Sequence, residues 1–392
     1  MPLRSLKVLD LSTLLPGPYA TMMLADMGAD VLRVEAPGRP ELTRFMPPLD
    51  ENKVSYNHAY LNRSKRSIGL DLKKPEAVEV IKRLVTDYDI LIEQFRPGVL
   101  DRLGIGYDVL KAINPRLIFC SITGFGQTGP YASRPGHDLN YLAIAGVSSY
   151  TGRDGQGPLP LGVQVADIAG GSMHAVAGIL AAVIERQHSG KGQMIDISMT
   201  DAAFALNGMA GAGALGGGVE PEAGKMLLNG GSFYDYYQTS DGRYFSVGSL
   251  EPQFMALLCD AIGSPELAKL GMSPKQQDQQ LLRDTLTDAF KSRSFDHWQE
   301  VFGRLEACVE PVLTVTEAAE HPQLKARHMV VEVPKQDGTT QQQLAHPIKF
   351  SRFSPEYSHV GTDLGAHTEQ VLEELGIDHD GVAKLKRCGA LG

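Results

Sequence analysis

The chain has 392 residues, with 37 Lys and Arg against 46 Asp and Glu for a net charge of −9, and 43% hydrophobic against 21% charged residues. This is the composition of a globular enzyme and rules out disorder, collagen and coiled coil. The acidic total also argues against a general nucleic-acid binder, because phosphate affinity comes from basic surface.

At this length a single core is usually exceeded, so two lobes are expected. Charges at Arg4, Lys7 and Asp10 leave no uninterrupted apolar segment of the signal-peptide kind. The longest apolar stretch, residues 179–184, is far short of the roughly 20 residues that span a bilayer. Cys120, Cys259, Cys308 and Cys388 are far apart and form no C-x-x-C pair, which disfavours a disulfide framework and a zinc site. A cytoplasmic protein is expected, with no membrane span and no metal.

In chain order, residues 7–11 read as a buried strand, and a loop at 12–18 leads into a helix with Ala20, Met23, Leu24 and Met27 on one face, stopped by Gly28. Residues 30–35 are a second strand, so the chain opens with a β-α-β unit of a parallel, doubly wound sheet. The alternation continues with a helical face at Ala77, Val80, Ile81 and Leu84, strands at 89–93 and 116–122, a helix at 173–186 and a strand at 194–199. An α/β fold with a large Rossmann-like domain over 1–205 is expected.

Residues 207–218 are so rich in glycine, which loses much backbone entropy on ordering, that 206–228 is expected to be a linker. Residues 229–328 read as a smaller α+β domain, with a strand at 243–248, a helix after Pro252 and another carrying Phe295, Trp298 and Phe302. Residues 329–392 return to short strands and end in helices near 368–375 and 381–386, with Gly376 as the stop between them.

A β-α-β start invites a dinucleotide reading, with Glu35 where a ribose-binding acid would stand. However, the loop Leu14-Leu15-Pro16-Gly17-Pro18-Tyr19 offers only Gly17 where G-x-G-x-x-G is required. Arg63, Lys65 and Arg66 put three cations within four residues, and Arg96 and Arg102 flank Pro97-Gly98 after the strand at 89–93. The first cluster alone reads most simply as solvated surface, whereas the second stands at the end of a parallel sheet where ligands usually bind; together they favour a phosphate-bearing ligand.

His137 and Asp138 follow a Gly/Pro-rich loop at 124–135 and are expected at a helix start, where His137 is either a proton shuttle or a structural histidine. Asp167 stands just before a long apolar helix, so its plain role is an N-cap. Against that, Ala166, Ala169, Gly170 and Gly171 are expected to leave open space around its carboxylate. Glu251, ahead of Pro252, is a helix-terminal acid of a type that caps poorly. No G-x-S-x-G, P-loop or H-E-x-x-H occurs. The residues by themselves thus point to an α/β enzyme with a phosphate-bearing ligand and a His/Asp/Glu acid–base set.

The motifs Leu15-Pro-Gly-Pro18, Asn62-Arg-Ser-Lys-Arg-Ser-Ile-Gly-Leu-Asp71, Phe95-Arg-Pro-Gly-Val99, Thr123-Gly-Phe-Gly-Gln127, Gly136-His-Asp-Leu-Asn-Tyr-Leu-Ala143, Ala166-Asp-Ile-Ala-Gly-Gly171, Gly190-Lys-Gly-Gln-Met-Ile-Asp196 and Glu251-Pro-Gln-Phe254 occur in that order. In this set the chain resembles the class III CoA-transferase (CaiB/BaiF) family, and within it the α-methylacyl-CoA racemase branch, from end to end. The resemblance implies a Rossmann-like large domain completed by the C-terminal tail, a small domain in between, and an interlocked homodimer. It also implies an acyl-CoA thioester as substrate, so that coenzyme A arrives with the substrate and no separate cofactor is needed, and a place in fatty-acid metabolism. Arg39, Lys65 and Arg102 fall where the family contacts CoA phosphates, and Leu61, Gln94 and Phe95 where it holds the adenine and pantetheine portions.

For the chemistry, the resemblance implies two alternatives at Asp167. A transferase uses this acid as a nucleophile that takes the acyl group as a mixed anhydride. A racemase uses it as one of two proton-transfer groups on opposite faces of a planar enolate, with His137 as the other and Glu251 orienting the histidine. With both His137 and Glu251 present, the racemase is expected ahead of the transferase, and a non-catalytic acyl-CoA-binding protein is the third reading. Met194, Met199, Met209 and Met226 are flexible enough for an adaptable acyl-tail surface, and ordinary core packing accounts for them equally well.

Overall fold

The aliphatic runs become strands Lys7–Asp10 (β1), Asp30–Glu35 (β2), Arg66–Gly69 (β3), Ile90–Glu93 (β4), Ile118–Thr123 (β5) and Met194–Ser198 (β6). They pair into one all-parallel sheet of order β3-β2-β1-β4-β5-β6. Leu9 of β1 lies opposite Leu32 and Leu91, and every residue of β5 is buried. Strands buried on both faces read as continuous apolar runs rather than alternating ones, as parallel sheets covered by helices do.

This computed structural model describes residues 1–391. Helices Pro16–Asp26 (α1), Pro75–Val85 (α2), Val99–Leu103 (α3) and Tyr107–Ile113 (α4) alternate with the strands. In α2, Pro75 fixes the first turn, Glu76 and Lys82-Arg83 complement the helix dipole, and Ala77, Val80, Ile81 and Leu84 form the buried stripe. Asp138–Ile144 (α5) follows β5. Ala166–Met173 is a π-helix that runs straight into His174–Ser189 (α6), and Met199–Ala205 (α7) follows β6.

The helix expected at 173–186 therefore starts seven residues earlier, because Ala166, Gly170 and Gly171 extend it as wider π turns. The continuous helix Ala166–Ser189 has 24 residues and, by length and composition alone, is long and apolar enough to cross a membrane. The apolar stretch 179–184 picked out in the sequence is only a part of it.

Two units separate by their contacts, one holding Met1–Ala145, Leu161–Leu206 and the chain from Lys325, the other Gly146–Pro160 and Asn207–Leu324. The longer segment of the second unit opens with a helix, Gly208–Gly217 (α8), where a linker was expected. Glycine weakens a helix by about 1 kcal/mol per residue without forbidding it, and the interleaved Ala210, Ala212 and Ala214 favour it. Asp235–Gln238 (β7), Tyr244–Val247 (β8) and Val309–Pro311 (β9) form an antiparallel sheet. Pro252–Ala261 (α9), Gln276–Lys291 (α10) and Phe295–Phe302 (α11) join it around a core of Phe233, Phe245, Phe290, Phe295, Trp298 and Phe302. That residues 146–160 join this unit had no signal in the sequence.

From Lys325 the chain returns to the first unit. Val330–Pro334 (β10) and Thr340–Leu344 (β11) form a hairpin, and Thr368–Glu374 (α12) and His379–Arg387 (α13) follow, with Gly376 at φ +67° ending α12. Val371, Leu372, Leu385 and Leu391 enter the same core as Leu9, Leu32, Leu84 and Leu91. The Gly69 N–H donates to Thr368 Oγ1 across 299 positions.

Candidate active site

The loop after β1 is fixed before any ligand is considered. A Cβ on Gly17 would stand 2.2 Å from Ser12 and 2.9 Å from Gln94 Oε1, so only glycine fits. Its N–H donates to Gln94 Oε1 at 3.0 Å. Leu14, at φ +63°, turns its N–H onto Glu41. The Gln94 side chain, expected on the CoA, is thus engaged with this loop.

Beneath the loop lies a buried ionic layer that the sequence reading placed at the surface. Lys65 is 1% exposed, with Nζ 2.7 Å from Thr21 Oγ1, 2.9 Å from the Pro18 carbonyl and 3.4 Å from Asp10. Burial lowers its ammonium pKa, and the Arg33 charge pushes in the same direction. Arg63 holds Asp26 through Nε at 2.9 Å and Nη2 at 2.6 Å, both residues 0% exposed. Arg66 pairs with Asp30 and Glu374. Arg63 and Lys65 are thus buried and paired rather than solvated, while Arg66 stays partly exposed, and Lys65, expected on a CoA phosphate, is turned inward. Glu35 is likewise used internally: burial pushes its carboxyl up, but Arg44 and Ser67 bond it and hold it down at about 2.

Of the remaining expected CoA contacts, Arg39 and Arg102 expose their cations, whereas Leu61 is buried and Phe95 packs against the core of the first unit. At the end of β4 a cavity of about 200 Å³ opens among Glu93, Arg96, Gly98, Tyr107, Ser121 and Gln127. Glu93 is 4% exposed and accepts from the Phe95 N–H at 2.7 Å. Burial, then repulsion from Asp101 and Asp196, pushes its carboxyl up to about 7.

A raised carboxyl binds its proton more tightly in the folded state, so stability falls as pH climbs from 4.5 through 7. Glu93→Gln should remove about 3 kcal/mol of that slope. In urea unfolding the variant should match the parent near pH 4.5 and exceed it at pH 8; parallel pH curves for the two proteins would contradict this.

The Gly124 to Gly136 loop is shaped around one ring. A Cβ on either glycine would stand 2.5 or 2.6 Å from Tyr141, whose hydroxyl donates to the Gly136 carbonyl at 2.5 Å and whose ring meets Phe125 edge-on at 5.3 Å. This packing seats His137 as the N-cap of α5, its own N–H donating to Asn140 Oδ1 at 3.0 Å and its side chain exposed.

Asp167 lies inside the π-helix rather than capping it, and the small residues beside it serve contact rather than open space. A Cβ on Gly170 would stand 3.2 Å from the Met199 carbonyl, and one on Gly171 3.0 Å from Pro16. Single π turns recur at functional sites, because the widened turn re-aims a side chain. The Asp167 carboxyl is half-buried and its pKa is raised to about 6, first by burial, then by the Asp138 charge, with His137 pulling the other way. His137 and Asp167 therefore share one electrostatic neighbourhood.

Asp138, which the sequence reading took as a helix-start acid, accepts from the Ala166 and Asp167 N–H groups at 2.7 and 3.1 Å. Those two donors are thus occupied. No sequence spacing signals a bond across 28 positions. Glu251 is the exposed N-cap of α9 in the second unit, beside Cys308. Met199 is buried in the first unit, whereas Met209 is among the most exposed residues of the second.

A half-buried acid with a raised pKa and a histidine acting on its charge is an arrangement that can carry proton transfer. The family model described as CoA-transferase family III matches residues 3–368. The chain is 36% identical over 391 residues to the α-methylacyl-CoA racemase of Homo sapiens, covering 98% of this chain and 96% of that one. It is also 36% identical over 396 residues to the succinate–glutarate CoA-transferase of Agrobacterium fabrum, covering 95% and 96%. Among solved structures it resembles a CaiB/BaiF family protein from Brucella suis, with a TM-score of 0.82 at 32% identity over 96% of this chain and 99% of that one. The chain belongs to CoA-transferase family III.

Proposed function

We propose that the protein interconverts the two epimers of 2-methylacyl-CoA thioesters by proton transfer at the α-carbon. The observation that carries this is the pairing of His137 with Asp167, whose pKa of about 6 suits a base working near neutral pH. One group removes the α-proton and leaves a planar enolate. The other delivers a proton to the opposite face, and the reverse reaction exchanges their roles. A nucleophilic transferase needs Asp167 alone, so the histidine has a task only in the racemase. Coenzyme A enters as part of the substrate, with Arg39 and Arg102 as the exposed cations for its phosphates.

Incubation of one epimer in D₂O tests the reading. Deuterium entering the α-position with loss of stereochemical purity is expected. Formation of a new thioester only when an acceptor carboxylate is added would favour the transferase, since the chain is also 36% identical to a CoA-transferase. Ligand binding without either reaction would leave a non-catalytic acyl-CoA-binding protein.

We further propose that the active form is a homodimer, in which Glu251 of the partner subunit orients His137. Support comes from the exposed apolar stripe Met173, Ala177, Ala181 and Ile184 on the helix Ala166–Ser189, and from Ile348, Phe350 and Phe353, which stand 37–43% exposed on the return segment. Co-expressed His137→Ala and Glu251→Ala chains should regain activity well above either parent, because one of the two sites in a heterodimer then carries no lesion. A heterodimer as inactive as its parents would place all three groups on one chain.

A further inference from the structure

We infer that Asp138 is the positioning residue for Asp167: its carboxylate ties the start of the π-helix to the helix capped by His137 and supplies the negative charge beside the proton-transferring acid. This rests on the reading of His137 and Asp167 as a proton-transfer pair.

The tie is geometric. One oxygen, Asp138 Oδ1, receives both the Ala166 N–H at 2.7 Å and the Asp167 N–H at 3.1 Å. The first N–H groups of a helix have no partner within it, so each must be satisfied from outside. Here one side chain from another segment satisfies two. Asp138 is also joined to His137 by a single peptide bond, and it opens the helix that His137 caps. The two proton-transfer groups, 30 positions apart in the chain, are thereby held through one residue. Proton transfer at a carbon tolerates little displacement, since a misplacement of about 1 Å can cost about 100-fold.

The charge arrangement points the same way. Packed against the π-helix are α1, α5, α6, α7 and β6. Their titratable groups include Tyr19 and Asp26 on α1, Asp138 and Tyr141 on α5, Asp196 on β6 and Asp201 on α7; α6 brings His174 near the junction and Glu185, Arg186 and His188 toward its far end. Of the neighbouring charges, Asp138 and His137 are the ones that act on Asp167, with opposite sign. Asp138 therefore makes Asp167 a stronger base than burial alone would, while fixing where it stands.

The two contributions separate in two variants. Asp138→Asn keeps an oxygen that can accept both N–H groups and loses the charge; Asp138→Ala loses both. The midpoint of the Asp167 carboxyl is read by ¹³C NMR on aspartate-labelled protein, with Asp167→Asn to assign the signal. The expected midpoint in Asp138→Asn is lower than in the parent by roughly one pH unit. The acid limb of the exchange rate in D₂O should move down with it, at unchanged KM. Asp138→Ala should lose at least about 10-fold more kcat than Asp138→Asn, because the anchor is gone.

An Asp167 midpoint that stays put in Asp138→Asn overturns the inference. So does an Asp138→Ala protein as active as Asp138→Asn. Should Asp138→Ala fail to fold, the Asn variant and the midpoint decide alone. If the parent catalyses no exchange while the midpoint still moves, the racemase reading fails and the role of Asp138 at Asp167 stands.

Discussion

Replacing His137 or Asp167 by alanine is expected to lower α-proton exchange by about 10²–10⁴-fold each, the usual contribution of a positioned acid or base. The reason lies in the geometry of racemisation: each epimer presents its α-proton on one face, so the loss of either group stops one half of the cycle and therefore the net reaction in both directions. The pH dependence follows from Asp167. Its carboxyl sits at about 6, so the fraction able to accept a proton rises through that pH and falls below it. Rates in the direction that uses Asp167 as base should climb between about pH 5 and 7. Stereospecific exchange measured for each epimer separately is the check. A His137→Ala protein with full activity, against an inactive Asp167→Ala protein, would hand the site to the nucleophilic transferase mechanism, in which the histidine has no part.

The second large effect expected is on stability. Asp26→Ala should destabilise the protein by about 3–5 kcal/mol in urea unfolding, because it leaves the Arg63 guanidinium buried without its counter-charge. The geometry is demanding: two nitrogens of Arg63 hold the two oxygens of Asp26, and a third donates to the Leu344 carbonyl at 2.6 Å. The guanidinium stands 4.9 Å from the Tyr60 ring and 4.6 Å from the Tyr357 ring. The pair thus joins α1 to the returning C-terminal segment. Replacing both members together by apolar residues should cost much less than either single change, since no charge is then stranded. An Asp26→Ala protein within 1 kcal/mol of its parent would show that water or a neighbour relieves the charge.

Much of the large unit was legible in the sequence because its strands and helices carry strong periodic signals. Residues 30–35 and the stripe Ala77, Val80, Ile81 and Leu84 fall where expected, and the six strands form the parallel sheet that a β-α-β start implies. What could not be read depends on contacts distant in the chain. Arg63, Lys65 and Arg66 look like a basic surface run until Asp26, Asp10 and Asp30 are seen opposite them. The glycines after Asp167 suggest room, yet they exist because Met199 and Pro16 press against them. The glycine run at 207–218 forms a helix rather than a linker because the alanines between its glycines are strong helix formers, and propensity is a weak guide where the two residue types alternate. In the candidate site, His137 and Asp167 were singled out by motif, and the fold sets both in one electrostatic neighbourhood, whereas the tie made by Asp138 is visible only once Ala166 is folded beside it.

The return of the C-terminal segment into the first core also sets an order of events during synthesis. A ribosome adds about 5–20 residues per second, so the 299 positions between Gly69 and Thr368 take roughly 15–60 s to emerge. Throughout that interval the edge beside β3 and the apolar side chains awaiting Val371, Leu372 and Leu385 stay uncovered. The second unit, whose segments all lie before residue 325, has no such wait. A nascent chain stalled before residue 368 should therefore hold a finished insert within an unfinished host, and recruit chaperones through the host.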